Sequence, residues 1–332
     1  MHARTRDMAR EQGFTLLELL VSMTILMIVS GTVMQGILAL TDVSRTVSNR
    51  TDMHNGVRNA TELLTQEVGQ AGRVALPGQV TLKADAMTGS TALLVTSTAE
   101  DADTDATAGM FQGMLLLIGF GDAQETVAVS SAAGDTVNLA AAVKNDHVGA
   151  VPVQAVGGFA EGVVPPLAVG FANGSTGDVL KIFGDIHGDG RMVYVEYTCD
   201  IPNGRLYRRS VPYDAGAKGI PTVEEILIDN IEVNPVDSTG QPTDCFTYQT
   251  QTVVGRPFVV DVAITLTIHT QREDKNTGDF QRETKALLNV SPRNVFNVWQ
   301  AASLNITDRI QPMPPEVALL LPTVVTSGGV EQ

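Results

Sequence analysis

One carboxylate, that of Glu18, lies inside an apolar run that extends from Phe14 to Leu40. The run contains 27 residues and no Pro, Lys, Arg or Asp. At about 1.5 Å per residue a helix of this length spans roughly 40 Å, which is enough to cross a bilayer. An ionised carboxylate in such a segment is costly unless it is paired. We therefore expect Glu18 to be a functional residue. The alternative is a glutamate that only reaches to the membrane interface.

A basic leader precedes this run and ends at Gly13. Its positive charges outnumber its negative charges, with Arg4, Arg6 and Arg10 against Asp7 and Glu11. The positive-inside rule then places the leader in the cytoplasm and the bulk of the chain outside it. A secretory signal peptide would instead have a shorter apolar region followed by small residues at its cleavage site. The sequence predicts a leader peptide over residues 1–13 and a transmembrane segment over residues 14–40.

The residues around Glu18 resemble the class III signal of type IV prepilins and type II secretion pseudopilins, and they read Gly13-Phe14-Thr15-Leu16-Leu17-Glu18-Leu19. The resemblance implies that a prepilin peptidase of the inner membrane cuts after Gly13 and methylates Phe14. It also implies that Glu18, fifth in the processed chain, pairs with the N-terminal amine of a neighbouring subunit. That pairing supplies the partner that a buried charge requires. The implied partners are this peptidase, the inner (cytoplasmic) membrane, and other pilins or pseudopilins that pack through the N-terminal helix.

The helix is predicted to continue beyond the membrane, because residues 14–73 contain no proline and the apolar pattern after Leu40 is amphipathic. Apolar residues recur there at steps near three, four and seven, namely Val43, Val47, Val57, Leu63, Leu64, Val68 and Ala71. One face of the second half is thus expected to pack against a sheet.

Beyond Pro77 the hydrophobic period changes to two, which is typical of strands. We expect an α+β fold in which the long N-terminal helix packs on an antiparallel β-sheet head over residues 74–305. A run of Gly-bounded strands over residues 110–156 predicts an inserted β lobe within that head. Four prolines between Pro312 and Pro322 predict an extended C-terminal tail over residues 306–332.

Later segments resemble the large PilW-like minor pilins and the J-type pseudopilins, namely Tyr194-Val195-Glu196-Tyr197, Gly204-Arg205-Leu206-Tyr207-Arg208 and Leu288-Asn289-Val290-Ser291-Pro292-Arg293-Asn294. The head is larger than a minimal major pilin needs, which favours a low-copy subunit. The resemblance implies a minor pilin of the assembly-initiating or tip complex of a type IV pilus. The alternatives are a J-type pseudopilin of a type II secretion system and a membrane-tethered adhesin or binding head.

Cys199 and Cys245 are the only cysteines, and both lie well beyond the membrane segment in what should be an oxidising space. A disulfide between them is therefore expected, with two free buried thiols as the alternative. Metal binding by this pair is not expected, since the sequence has no CxxC spacing or nearby histidine cluster.

A possible ion-binding motif consists of Asp185, His187, Asp189 and Gly190, followed by Glu196. The acidic residues and the glycine stand where a twelve-residue calcium loop places them. His187, however, lacks the oxygen that a hard cation prefers, and the flanking segments look like strands rather than helices. We favour a plain β-hairpin turn over a calcium site, and we expect no other cofactor.

Composition and motifs argue against two other classes of protein. The net charge is −15, and it becomes −16 when a leader with three Arg and two acidic residues is removed. Such a chain is unsuited to nucleic acid as a primary partner, because phosphate contacts need clustered Lys and Arg. The five histidines are scattered and the sequence has no Gly-x-Ser-x-Gly elbow, so we expect no enzyme.

Overall fold

The computed structural model describes residues 15–99, 105–166, 169, 173–215, 225–275 and 277–318. It confirms the α+β class, with one long N-terminal helix and a β-rich head. The helix, α1, extends over Leu16–Gln70. Its side chains are exposed from the start to Leu40, and its buried residues lie in the second half, namely Met53, Val57, Ala60, Thr61, Leu64, Glu67 and Val68.

A closed barrel follows the helix in the chain. Its six strands are β1 (Val80–Leu82), β2 (Ala92–Ser97), β3 (Leu115–Ile118), β4 (Glu125–Ala133), β5 (Thr136–Leu139) and β6 (Pro152–Ala155). They are joined antiparallel in the order β1-β2-β5-β4-β3-β6. The lobe predicted over residues 110–156 contains only β3 to β6, so its predicted start was wrong. The barrel begins at Val80, because β1 closes it by pairing with both β2 and β6.

The rest of the head contains two four-stranded sheets. After the short strand β7 (Gly158–Phe159), the first sheet contains β8 (Val179–Gly184), β9 (Val193–Asp200), β10 (Arg205–Pro212) and β11 (Ile226–Asp229). The second contains β12 (Ile231–Glu232), β13 (Phe246–Val253), β14 (Arg256–His269) and β15 (Arg282–Val290). Strands β12, β13 and β15 all pair antiparallel with the long strand β14. Apolar residues of α1 and both sheets form one continuous core.

The C-terminal part of the head ends in helix α2 (Arg293–Ser303), strand β16 (Ile310–Gln311) and the short helix α3 (Pro315–Ala318). The prediction of an extended tail over residues 306–332 was therefore wrong for its first part. Strand β16 pairs with β7, and Gln311 is fully buried with its side-chain amide hydrogen-bonded to the backbone of Leu115 and Val156. These bonds satisfy backbone N–H and C=O groups of the barrel, which a tail that did not pack on the head could not do. Residues 319–332 lie outside the described residues.

The predicted disulfide between Cys199 and Cys245 is present. Cys199 lies at the end of β9 in the first sheet, and Cys245 immediately precedes β13 in the second. Both residues are buried in the core that α1 shares with the two sheets. The bridge therefore joins the two sheets directly.

Replacing both cysteines with alanine should lower the free energy of unfolding by about 2–4 kcal/mol, because the bridge restricts the unfolded chain. The loop that it closes has a sequence separation of 46 residues. Denaturant unfolding of the processed protein, with and without reductant, measures this effect. An oxidised protein that is no more stable than the double alanine variant would contradict the prediction.

Candidate assembly site and its connection to the head

Glu18 lies in the first turn of α1, and its side chain is exposed. Thr15 caps the helix, because its hydroxyl accepts a hydrogen bond from the backbone N–H of Glu18 at 3.3 Å. The N-terminus of a helix also favours a nearby negative charge. The capping spacing Thr-x-x-Glu was a readable signal in the sequence, and our sequence analysis missed it. The expected processing residues, Gly13 and Phe14, lie outside the described residues.

The exposed part of α1 has the length of a membrane span. Among the described residues, the first polar contacts between helix and head are Lys275 Nζ to Asp42 Oδ1 at 2.7 Å and Asn49 Nδ2 to the Arg272 carbonyl at 2.8 Å. Both partners lie in the connection between β14 and β15. Residues 16–41 are left without these contacts, and they span about 39 Å as a helix. By length and composition, α1 is consistent with a single-pass membrane anchor.

A buried carboxylate attaches the second half of α1 to the first sheet. The side chain of Glu67 is 5% exposed and forms an ion pair with Arg208 of β10. Arg208 Nε lies 3.2 Å from both carboxylate oxygens, and the hydroxyl of Tyr197 on β9 donates a further hydrogen bond. Buried ion pairs persist only where such hydrogen bonds satisfy both partners. This cluster thus fixes the rotation of α1 against the sheet.

The protonation states of this cluster follow from burial and charge. Burial and the neighbouring Glu67 raise the pKa of Tyr197 well above its ordinary value, so the phenol stays a donor. Burial opposes the charge on Arg208, but the hydrogen bonds and negative charge of Glu67, together with Tyr197, outweigh it and raise the pKa of the guanidinium. His187 Nε2 lies 3.2 Å from Arg208 Nη2 at the more exposed side of the pair.

The four residues of the predicted ion-binding motif have separate partners. Asp185 is fully buried, where its Oδ1 accepts from the Gly190 N–H and its Oδ2 lies 3.3 Å from Nε of Arg73. His187 contacts Arg208, and Asp189 accepts from the backbone of Arg191. Glu196 lies on β9 and accepts from the Tyr194 hydroxyl at 2.7 Å. Within the described ranges, no group of three or more His, Cys, Asp or Glu residues is arranged to hold a metal ion.

The turn between β8 and β9 is hydrogen-bonded to the residues just after α1. The Asp185 N–H donates to the Arg73 carbonyl just after the helix, and the N–H of Gly72 donates to the Phe183 carbonyl. Gly190 has a φ of +84°, and a Cβ atom there would lie 2.6 Å from the Leu76 carbonyl. The glycine of the motif is thus needed for close packing. The antiparallel pairing of β8 and β9 shows the expected hairpin, and the absence of calcium or another cofactor stays a prediction.

Comparison with known proteins supports the N-terminal motif and gives no match for the head. Residues 8–34 match the family model described as the prokaryotic N-terminal methylation motif. No curated protein and no solved structure matches the chain. The motif supports a type IV prepilin-like chain that is processed by prepilin peptidase. It covers a small part of the 332 residues, so the head has to be interpreted from its own structure.

A Glu67→Gln variant should lower the free energy of unfolding of the head by about 3–5 kcal/mol, because it leaves the largely buried Arg208 charge without its partner. The matched control is Glu62→Gln on the same helix. Glu62 is 56% exposed and pairs with Arg58, and loss of an exposed pair costs about 0–1 kcal/mol. Denaturant unfolding of the two variants gives the comparison. Equal losses would show that the buried cluster does not attach α1 to the sheet.

Proposed function

We propose that the chain is a minor pilin or pseudopilin that is incorporated into a type IV pilus, in the assembly-initiating or tip complex. It acts as a structural subunit rather than an enzyme. The match of residues 8–34 to the methylation motif carries this proposal. The exposed apolar helix with Glu18 in its first turn supports it. Before assembly the protein is held in the inner membrane by α1, with its head on the extracytoplasmic side.

Assembly in this proposal depends on a charge pair between subunits. Cleavage after Gly13 frees the amine of Phe14, which is methylated at the start of the processed chain. In the filament, that amine meets the Glu18 carboxylate of a neighbouring subunit inside packed apolar helices. Each charge would be costly there without the other. The pair thus favours one axial offset between neighbouring helices.

The architecture of the head supports a low-copy position. The chain inserts a complete six-stranded barrel between the end of α1 and the sheet that α1 packs against. A subunit that repeats along the filament shaft has a neighbour on each side, which limits the volume of its head. A subunit at the end of the filament has no neighbour on one side, so its head can be larger there. A J-type pseudopilin shares the motif and the helix with a pilus subunit. Recovery of the protein in sheared pili or in secretion pseudopili separates these two assignments.

Processing gives the first test. Mass spectrometry of the protein from assembled filaments should show a chain that begins at N-methylated Phe14. A Gly13→Leu variant, which replaces the small residue at the junction, should accumulate in the membrane with its leader intact. Recovery of the full leader in assembled filaments would contradict the proposal.

Glu18 gives the second test. A Glu18→Leu variant makes the segment more apolar, so membrane insertion should survive, and cleavage should survive because Gly13 is unchanged. Incorporation into filaments, or the number of filaments, should fall because the neighbour's amine is left without a partner. Immunoblots of membrane and sheared-filament fractions measure the two quantities separately.

The matched control for that test is Thr24→Leu, which introduces the same side chain at another exposed position of α1 without removing a charge. This variant should be inserted, processed and incorporated like the native protein. Normal incorporation and normal filament number for Glu18→Leu would show that Glu18 does not carry assembly.

A further inference from the structure

Three loops come together at the end of the barrel remote from α1, and we name them the barrel tip: residues 83–91, 119–124 and 140–151. The first residue of β1 pairs with β6. The C-terminal end of β6 leads to the β7 segment, which contacts Gly72 just after α1. Strands β1 and β3 run away from this junction and lead to the first and second loops. The third loop pairs with the first through Ala86 and His147. The barrel tip is therefore the part of the barrel farthest along its strands from the helix junction.

The second and third loops are joined by a carboxylate at the base of the tip. Glu125 accepts hydrogen bonds at 2.9 Å from the backbone N–H groups of Lys144 and Asn145. His147 is buried, and its Nε2 lies 2.9 Å from Glu125 Oε1. Burial opposes the ionisation of Glu125, but these hydrogen bonds outweigh it and lower the pKa of the carboxyl. The two loops are thus held in one arrangement.

The first loop is fixed to the third in the same way. Asp146 Oδ1 accepts from both the backbone N–H and the hydroxyl of Thr88 at 2.7 Å. Asp85 Oδ1 accepts from the N–H of Gly149, also at 2.7 Å. Most polar side chains of the tip are therefore already engaged within it. A surface ordered in advance loses little conformational entropy when it binds.

Three large apolar side chains extend from this fixed framework into solvent. Met87 is 57% exposed, Phe120 is 69% exposed and Val148 is 65% exposed, and each belongs to a different loop. Phe120 is the only aromatic residue among the exposed large hydrophobic side chains of the described chain. Exposed apolar groups that cluster on ordered loops mark interaction sites more often than groups scattered singly.

The charges around these side chains indicate the chemistry of the partner. Asp85, Asp122 and Asp146 are exposed at the tip, against the exposed amines of Lys83 and Lys144. The Lys83 amine is already paired with Asp135, which lies outside the tip. The hydrogen bonds from Thr88 lower the pKa of Asp146, so that this carboxylate stays ionised. The rim of the apolar group is thus acidic, in keeping with the whole chain.

We propose that the barrel tip is a docking surface for a partner protein that presents an apolar pocket with a basic rim. Phe120, the aromatic member of the three, is the main anchor; Met87 and Val148 add apolar surface from the other two loops, and Asp122 gives electrostatic attraction. Charged rims of this kind set association rate and specificity, while buried aromatic anchors carry most of the affinity. This surface is separate from the helix that assembles the filament, so it adds a second interaction to the proposed function.

Other occupants fit the tip less well. A second copy would bring the same acidic rim against itself, and each chain carries a net charge of −15. An anionic membrane surface would be repelled for the same reason. A carbohydrate requires free hydrogen-bonding groups, whereas the Thr88 hydroxyl and one oxygen of each of the Asp85 and Asp146 carboxylates are already used within the tip.

The test places a photoreactive benzophenone side chain at Phe120 of the full-length chain, in the cells that assemble it. The control places the same group at Leu94, which is 43% exposed on β2 but outside the tip. Irradiation should give a cross-link from position 120 to one protein species, and position 94 should not give it. A cross-link mainly to another copy, to lipid or to glycan would overturn the proposal. So would no cross-link above the Leu94 control.

The captured protein is then purified and its affinity for the full-length chain measured at low and high salt. Phe120→Ser should weaken binding by roughly tenfold or more, as expected for an aromatic anchor. Asp122→Lys should weaken binding at low salt and reduce its salt dependence. Leu94→Ser should bind like the native chain. The variants should keep the native unfolding midpoint, because the changed side chains are exposed. Native affinity in Phe120→Ser would overturn the proposal.

Discussion

A carboxylate that leaves water has to be paired, and this constraint acts at both ends of α1. Glu67 satisfies it within the chain, because Arg208 and Tyr197 reach its oxygens from β10 and β9. Glu18 has no ion-pair partner within the described part of the chain. In the proposed filament its partner is the N-terminal amine of a neighbouring subunit. One helix thus carries a carboxylate that holds the protein together and, in our proposal, a carboxylate that holds subunits together.

The head is built to receive α1 on one side only. Contacts begin at Asp42 through the connection between β14 and β15, and they end where the β8–β9 turn clamps the chain after the helix. The buried Glu67 cluster lies between these points. A helix held in this way transmits its orientation to the head with little freedom. The exposed half can then be inserted in a membrane or in a helix bundle without changing the structure of the head.

The barrel gives the protein a surface that the helix and sheets do not need. The chain enters and leaves the barrel near the end of α1. There β7 pairs with β16, and the buried side-chain amide of Gln311 donates to the Val156 carbonyl. The far end of the barrel holds three ordered loops with exposed apolar side chains. The core that α1 shares with the two sheets contains no residue of the barrel strands. The proposed assembly and the proposed partner binding can therefore depend on separate parts of the chain.

The sequence by itself determined the features that depend on local pattern: the apolar helix, the position of Glu18, the change to a strand period beyond Pro77, and the methylation motif. It also predicted the disulfide, because the two cysteines had one possible partner each in an oxidising space. Only the tertiary structure decided how far the barrel extends, that residues near Gln311 pack into the head, and which residues hold α1. Glu67 reads as one more charge on an amphipathic helix, and its partners are 130 and 141 residues away. Such pairings depend on which strands become neighbours, and hydrophobic periodicity carries no information about that.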